Sequence, residues 1–327
     1  MKVVIDYKGR ICLVAAIIGL ISLCAILTAD AAPAKQNAEA NGALIALWPK
    51  DDQIYYSNSV PNVSVAQVKA LIRSGADISA SDEQGNTPLM RASEAGNLLC
   101  VQFLVSSGAK TEARNHEGWT ALVFACFLSK VDCARYLISR GAIVDTRDKG
   151  GETILRIVAQ GLAEESFAAD ANAGHPVAKV DGQDGLMRCV RLLVSQGADV
   201  NAADNDGGTS LMWVAQGDGN VNLECVKFLV SKGAKVDVQD KDGTTALMNI
   251  ASGMPIYSDG KAWNSGRIDC AKYLLSKGAN LSLRNKDGKT ALMLATNPDM
   301  ISIFTRCRVD ARPDSARSSR IGYCVDT

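Results

Sequence analysis

Cysteine is the residue whose number and spacing most suggest a chemical role in this 327-residue chain, which contains ten. Five of them lie eight residues before the glycine of a Gly-Ala pair: Cys100, Cys133, Cys189, Cys225 and Cys270. Thiols at one repeated position could form disulfides or hold metal ions, but a disulfide needs Cα atoms within about 7 Å. Packed helices lie roughly 8 to 10 Å apart. We therefore predict that these five thiols and Cys126 are small buried core side chains, with no metal site or cofactor.

Two further groups have residue types that could do chemistry. Ser166, His175 and Asp181 have the residue types of a hydrolase catalytic triad, but the sequence around the serine does not have the pattern of a strained nucleophile turn. The segment from Asp204 to Gly207 resembles part of a calcium loop, but Trp213 stands where the final glutamate ligand belongs. We predict a hairpin tip there and no catalytic residues. An enzyme with its site in an insertion near residues 160–185 is the alternative.

Charge and composition narrow the function classes further. The chain has 35 basic and 35 acidic residues and only two histidines. Nucleic acid and anionic lipid attract proteins through a basic excess, which is absent over the whole chain. Few imidazoles leave little for metal binding or for proton transfer near neutral pH. We expect neither a nucleic-acid partner nor a small-molecule substrate.

The first 31 residues have the pattern of a secretory signal. Lys2, Lys8 and Arg10 precede an apolar run over residues 11–27, and Ala29 and Ala31 supply the small side chains that a signal peptidase requires. We expect cleavage after Ala31 and export, most simply to a bacterial periplasm, with release from the cell as another destination. The alternative is an uncleaved anchor that tethers the protein to a membrane, since the apolar run is at the short limit for a span.

A repeat organises the rest of the chain. Gly-Ala recurs at intervals of 33, 33, 56, 36 and 45 residues, and a threonine twelve residues after each glycine follows the same intervals. The glycines are Gly75, Gly108, Gly141, Gly197, Gly233 and Gly278, and the threonines are Thr87, Thr120, Thr153, Thr209, Thr245 and Thr290. The pattern D-x-x-G-x-T-x-L lies between them, for example at Asp240 to Leu247. Glycine suits a left-handed turn or a helix stop, and threonine suits a helix N-terminus.

These markers, over roughly residues 62–304, closely resemble the ankyrin repeat. The resemblance implies an all-α solenoid of helix-turn-helix repeats with hairpin-like finger loops, and a non-catalytic module that binds a protein partner. Methionines at 90, 212, 248 and 293 stand where the family has histidine, so we expect the packing volume to be kept and the polar contacts of histidine to be lost. The threonines are expected to cap the first helix of each repeat.

The same markers divide the chain into segments. We predict a capping half-repeat with an inserted loop over residues 32–80, ankyrin repeats over 81–283 with insertions near 160–185 and 252–267, and a C-terminal cap over 284–304. The Arg- and Ser-rich residues 305–327 are predicted to be a tail. In an oxidising compartment Cys307 and Cys324 could form a disulfide there.

The insertions provide one candidate binding surface and the hairpin tips provide another. Each insertion falls between the first and second helices of its repeat, so in a regular stack they emerge on one side. They carry aromatic residues of the kind that interfaces enrich: Tyr55, Tyr56, Phe167, Tyr257 and Trp263. Neutral surface drift explains insertions equally well. The alternative surface is the concave groove, with tips at His116, Glu117, Lys149, Asp206, Lys241 and Lys286.

Overall fold

The computed structural model describes residues 37–48, 63–168, 182–217, 220–252 and 265–310. Several predictions concern residues outside these ranges: the signal segment, His175, Asp181, Cys324 and four of the five loop aromatics. Ser166 and Phe167 lie in a described helix, but their side chains are not described. No helix within the described ranges is long and apolar enough to span a membrane.

Pairs of antiparallel helices, stacked in one direction, form the described part of the chain. The first helices of the repeats are α3 Pro88–Glu94, α5 Ala121–Phe127, α7 Ile154–Ala168, α9 Ser210–Val214, α11 Ala246–Ala251 and α13 Ala291–Leu294. The second helices are α2 Val65–Arg73, α4 Leu98–Ser106, α6 Val131–Ser139, α8 Gly182–Ser195, α10 Asn220–Ser231, α12 Ser265–Ser276 and α14 Pro298–Asp310, and α1 covers residues 37–46. The predicted all-α solenoid is confirmed.

Threonine begins most of the first helices, as the repeat pattern predicts. The Thr87, Thr209, Thr245 and Thr290 hydroxyls accept a hydrogen bond from the backbone N–H three residues later. Thr120 differs, because its buried hydroxyl makes no cap hydrogen bond. The expected loss of polar contact at methionine is wrong in two repeats: the Met90 and Met212 sulfurs accept from the backbone N–H of Thr87 and Thr209, at 3.3 and 3.5 Å.

The Gly-Ala pair ends each second helix. At Gly75, Gly108, Gly141, Gly197, Gly233 and Gly278 the backbone has φ between 88° and 102°. In this conformation the alanine N–H bonds back to the carbonyl five residues earlier, as from Ala109 to Leu104 at 3.0 Å. Glycine adopts it without a Cβ penalty, so the pair closes the helix and turns the chain into the next hairpin.

Cysteine and leucine share the buried seam between second helices. Cys100, Cys133, Cys189, Cys225 and Cys270 are all buried, as is Cys126. The Cys100 thiol donates to the carbonyl of Val63 at 3.4 Å, and the neighbouring Cys189 together with burial raises the pKa of the Cys126 thiol. The prediction that these thiols belong to the core is confirmed.

Several predicted boundaries shift in the structure. α7 continues to Ala168, where it packs along α8, and its residues Leu162 and Ala163 are buried. The insertion placed near 160–185 is therefore helical at its start and again from residue 182. The second insertion ends at α12, which begins at Ser265, and the final helix runs to Asp310, beyond the boundary expected at 304.

Candidate functional site

The hairpins that precede the first helices form one edge of the stack. Two of them contain an antiparallel bridge, between Arg147 and Thr153 and between Ala203 and Thr209. Each tip bonds to the next through the backbone, with the N–H groups of His116, Lys149 and Lys241 donating to Gln84, Glu117 and Asp206. The N···O distances are 2.9, 3.0 and 2.7 Å. The tips are therefore a continuous hydrogen-bonded ribbon and not separate loops.

Glycine makes this close approach possible. Gly118 has φ +88°, and a Cβ there would lie 3.1 Å from the Cα of Asp148 in the next hairpin. Gly207 has φ +86° and would meet Asp240 at 3.0 Å. A side chain at either position would strain its own backbone and also separate the hairpins.

All six predicted tip residues are exposed, and the structure pairs some of their charges across the ribbon. Lys241 lies 3.8 Å from Asp206, and Lys286 lies 3.4 Å from Asp242. Both pairs are largely exposed, so they stabilise the stack little. The tips present alternating charges with their backbones already hydrogen-bonded, and this fits a rim around a binding surface better than its centre.

Behind the tips, three aromatic residues of one repeat pack together on the groove side. The Trp119 ring, at the end of the hairpin, meets Phe124 and Phe127 of α5 edge to face, with centroids 5.2 and 5.5 Å apart. The Phe127 ring also lies beside Gly161 of α7. Phe124 is buried, whereas Trp119 and Phe127 are half-buried. Two rings of this cluster therefore keep part of their surface open to a partner.

A buried ion-pair cluster lies in the preceding repeat. The Arg91 guanidinium donates to Asp82 at 2.6 Å and to Glu94 at 2.9 Å, and each of these three side chains is at most 6% exposed. Burial acts to raise the pKa of Asp82, but hydrogen bonds from Asn86 and Arg91 and the charge of Arg91 outweigh it, so the pKa is lowered. The cluster joins α3 to its own hairpin.

A second cluster, centred on Arg156, joins one repeat to the next. The Arg156 guanidinium donates to Glu152 at 2.9 Å and to Asp204 of the following hairpin at 3.1 Å. It also lies over the Trp213 ring of α9, 4.2 Å from the centroid. Burial raises the pKa of Glu152, with Asp148 and Asp204 adding to the rise and Arg156 opposing it. This arginine therefore fixes the orientation of Trp213, which is half-buried.

We define the groove patch as Trp119, Phe127, Gln160 and Trp213, which are half-buried in three consecutive repeats. The sequence interpretation missed it, since it looked for aromatics in the insertions. The spacing from the repeated threonines could have indicated it. Trp213 lies four residues after the threonine of its repeat, Phe127 and Gln160 lie seven residues after theirs, and Trp119 lies one residue before the threonine of its repeat. The resemblance implies that hairpin tips and first helices form the concave groove, and all four residues lie on the hairpins and first helices.

The hypothesis of a loop edge is not tested by the structure. Tyr55, Tyr56, Tyr257 and Trp263 lie outside the described residues, and Phe167 lies in the last turn of α7 without a described side chain. The expected Cys307–Cys324 disulfide also stays a prediction, because only Cys307, which is half-buried, lies in the described ranges.

Within the described ranges, no group of three or more His, Cys, Asp or Glu side chains is arranged to hold a metal ion. The calcium-like segment is a hairpin tip: one Asp204 oxygen accepts from the backbone N–H groups of Asp206 and Gly208 at 2.9 and 2.8 Å. The other Asp204 oxygen accepts from Arg156. Both oxygens are thus engaged in holding the hairpin.

Sequence comparison identifies the family of this stack. A family model described as ankyrin repeats (3 copies) matches residues 59–148 and 178–255, and a model of the single ankyrin repeat matches residues 242–286. The chain belongs to the ankyrin repeat family. No curated protein sequence is significantly similar to this ankyrin protein.

Solved ankyrin structures have the same fold. The ankyrin repeat domain of human ASB11 is 21% identical, with a TM-score of 0.55 over 76% of this chain and 93% of that one. The ankyrin repeat domain of Bcl-3, a member of the IkappaB protein family, is 24% identical, with a TM-score of 0.53 over 74% of this chain and 92% of that one. At these identities the ankyrin fold is shared, and nothing about the partner follows.

Proposed function

We propose that this protein is an exported, non-catalytic module that binds another protein through the groove patch. The observation that carries the proposal is the set of half-exposed rings: Trp119 and Phe127 lie in the first, and Trp213 in the third, of three consecutive repeats. Tryptophan and other aromatics concentrate binding energy at interfaces because they bury large areas with few rotatable bonds. Membership of the ankyrin repeat family agrees with a role in protein binding.

The rings are held in place before a partner arrives. Trp119 is packed by two phenylalanines, and Trp213 lies beneath a guanidinium that is itself bonded to two carboxylates. A side chain that is ordered in the free protein loses less entropy on binding. The ladder of hairpin tips adds a polar rim, with exposed groups of both charges at Glu117, Lys149 and Asp206.

The partner we propose is a polypeptide that presents apolar side chains to the rings and polar groups to the rim. Gln160, between Phe127 and Trp213, accepts a hydrogen bond from the Arg156 guanidinium, which holds its polar side chain in place at the centre of the patch. Export is proposed from the basic, apolar and small-residue pattern of residues 1–31, with the periplasm as the compartment.

The test begins with capture of the partner from the exported fraction and its identification by mass spectrometry. The affinity of the purified partner is then measured by calorimetry for the parent and for two variants. Trp119→Ala with Trp213→Ala should weaken binding by at least about 2 kcal/mol, the scale of interface hot spots. Tyr257→Ala with Trp263→Ala, on an insertion, is the matched control.

Circular dichroism must first show that both double variants keep the parental helix content. If the groove variant is folded and binds like the parent while the insertion variant loses affinity, the groove proposal is wrong and the loop edge is the binding surface.

A further inference from the structure

Charge is divided between the two sides of the stack, although the whole chain is neutral. The second helices of the described repeats, from residue 65 to the glycine that closes the helix at 278, contain eleven basic and four acidic residues. The six hairpin segments that follow those glycines, up to each capping threonine, contain nine basic and fifteen acidic residues. The outer helical side is therefore basic and the hairpin side is acidic.

Seven of the eleven basic residues lie on α8, α10 and α12 or directly after them, and four of those seven lie over aromatic rings. We call this surface the cation–aromatic face, and it consists of Arg191, Lys227, Phe228, Lys232, Tyr273 and Lys277. Arg191 and Lys232 lie over the Phe228 ring, 5.0 and 5.7 Å from its centroid. Lys227 and Lys277 lie over Tyr273 at 5.9 and 5.4 Å.

Most of this charge is open to solvent. The four cations are exposed, and the two rings are half-buried. Glu224 pairs with Arg191 at 2.5 Å, and Asp269 pairs with Lys272 beside the face at 3.8 Å. Within the described part of the chain, no carboxylate forms an ion pair with Lys227, Lys232 or Lys277, so their positive charge is not neutralised. Each ring stabilises its cations in place, which reduces the entropy lost when an anion binds.

From this arrangement we infer a second binding surface, on the cation–aromatic face, for an acidic polypeptide segment. Successive helix layers lie roughly 10 Å apart, so rows of cations follow one another at that distance along the face. An extended chain rises about 3.3 Å per residue, so every third residue can meet one row. Carboxylates suit both arginine and lysine as partners. The surface lies on the second helices and is therefore separate from the groove patch, which is built on hairpins and first helices.

A membrane fits this surface less well. Amphipathic membrane binding needs apolar side chains that enter the lipid, whereas Phe228 and Tyr273 are half-buried beneath cations. The exposed large apolar side chains of the described chain are Leu99, Ile143, Met293 and Ile301, and none lies on this face. Nucleic acid is also disfavoured, since a long polyanion would meet the acidic hairpin side.

The experiment measures binding of a fluorescein-labelled peptide of about a dozen residues, with glutamate at every third position and glycine at the others, to the folded full chain by fluorescence anisotropy. The variant Lys227→Gln with Lys232→Gln and Lys277→Gln removes three cations from the face. Its matched control, Lys235→Gln with Lys241→Gln and Lys286→Gln, removes three cations from the hairpin side. Both have the same net charge, so a general electrostatic effect cannot separate them.

We expect the parent to bind the peptide in a salt-dependent way. The face variant should lose about tenfold in affinity, since each exposed ion pair changes the affinity by only a small factor and three are removed. The control should lose less than about twofold. Absence of binding by the parent at low salt overturns the inference, and so do equal losses in the two variants. Competition by phosphatidylserine vesicles or by oligothymidine as effective as that by unlabelled peptide also overturns it. If the triple variant is not helical by circular dichroism, Lys277→Gln is compared with Lys286→Gln under the same criteria.

Discussion

Replacement of Arg156 by leucine tests whether the buried ion pairs hold the groove together. The substitution keeps most of the side-chain volume but leaves Asp204, which is 8% exposed, and Glu152, which is 28% exposed, without their cation. It also removes the guanidinium that covers Trp213. Breaking a buried ion pair by removing one partner costs roughly 3 to 5 kcal/mol.

The structure places the expected loss at the low end of that range. Asp204 keeps two backbone N–H donors, and Glu152 has partial access to water. We therefore expect the free energy of unfolding to fall by about 3 kcal/mol, measured by urea denaturation with far-UV circular dichroism and tryptophan fluorescence.

Arg191→Leu is the matched control. Arg191 also pairs with a carboxylate, Glu224, and lies over a ring, Phe228, but both ends of this pair are at least half exposed. Such a pair contributes about 0 to 1 kcal/mol. If the two variants lose stability equally, within about 0.5 kcal/mol, burial does not determine the strength of these contacts and the reasoning is refuted.

The deficit of Arg156→Leu should also depend on pH. Without the guanidinium, the pKa of Glu152, already raised by burial, rises further in the folded state. A folded-state pKa above the unfolded value lowers stability as pH rises through that window, because ionisation then favours the unfolded chain. The deficit should be largest near neutral pH and smaller near about pH 4, where the Glu152 carboxyl is largely protonated. A deficit that grows towards acid contradicts this assignment.

Three further predictions concern caps, thiols and export. Thr245→Val should lower the free energy of unfolding by about 1 kcal/mol, because it removes the hydrogen bond that caps the helix. Thr120→Val should leave the free energy of unfolding nearly unchanged, because the Thr120 hydroxyl makes no hydrogen bond. Equal losses of the two variants in urea denaturation would disprove this difference. Burial raises the pKa of the Cys100 thiol to about 11 and is the main cause that raises that of Cys133 to about 12. Both thiols should therefore resist an aromatic disulfide reagent in the native protein, and fast labelling without denaturant contradicts this. N-terminal sequencing of exported protein should begin at or near Ala32, and a mature chain that begins at Met1 or Lys2 would instead support the tethered alternative.

The fold could be predicted from sequence because its markers are local. A glycine with φ near +90° and a threonine at the start of the first helix recur at fixed spacing in every repeat, so their positions identify each turn. Helix ends beside the insertions could not be placed in the same way. The extension of α7 to Ala168 packs along α8, and a pattern of repeat markers does not contain that information.

The groove patch shows the same limit. Sequence spacing places Trp119, Phe127 and Trp213 on the groove side, but it does not show that Arg156 bridges two repeats and lies over Trp213. That bridge joins Arg156 to a hairpin residue 48 positions away, across an insertion of irregular length. Only the three-dimensional stack shows that one arginine connects both parts of the patch.

Hydrogen–deuterium exchange of the protein with and without its purified partner tests the central claim most directly. If the groove patch is the binding surface, partner-dependent protection should appear in peptides covering residues 114–127, 154–163 and 204–216, which contain the hairpins and first helices around it. Peptides of the second helices should exchange at the same rate in both samples. Protection confined to the insertions or to the second helices, with the groove peptides unchanged, would contradict the account.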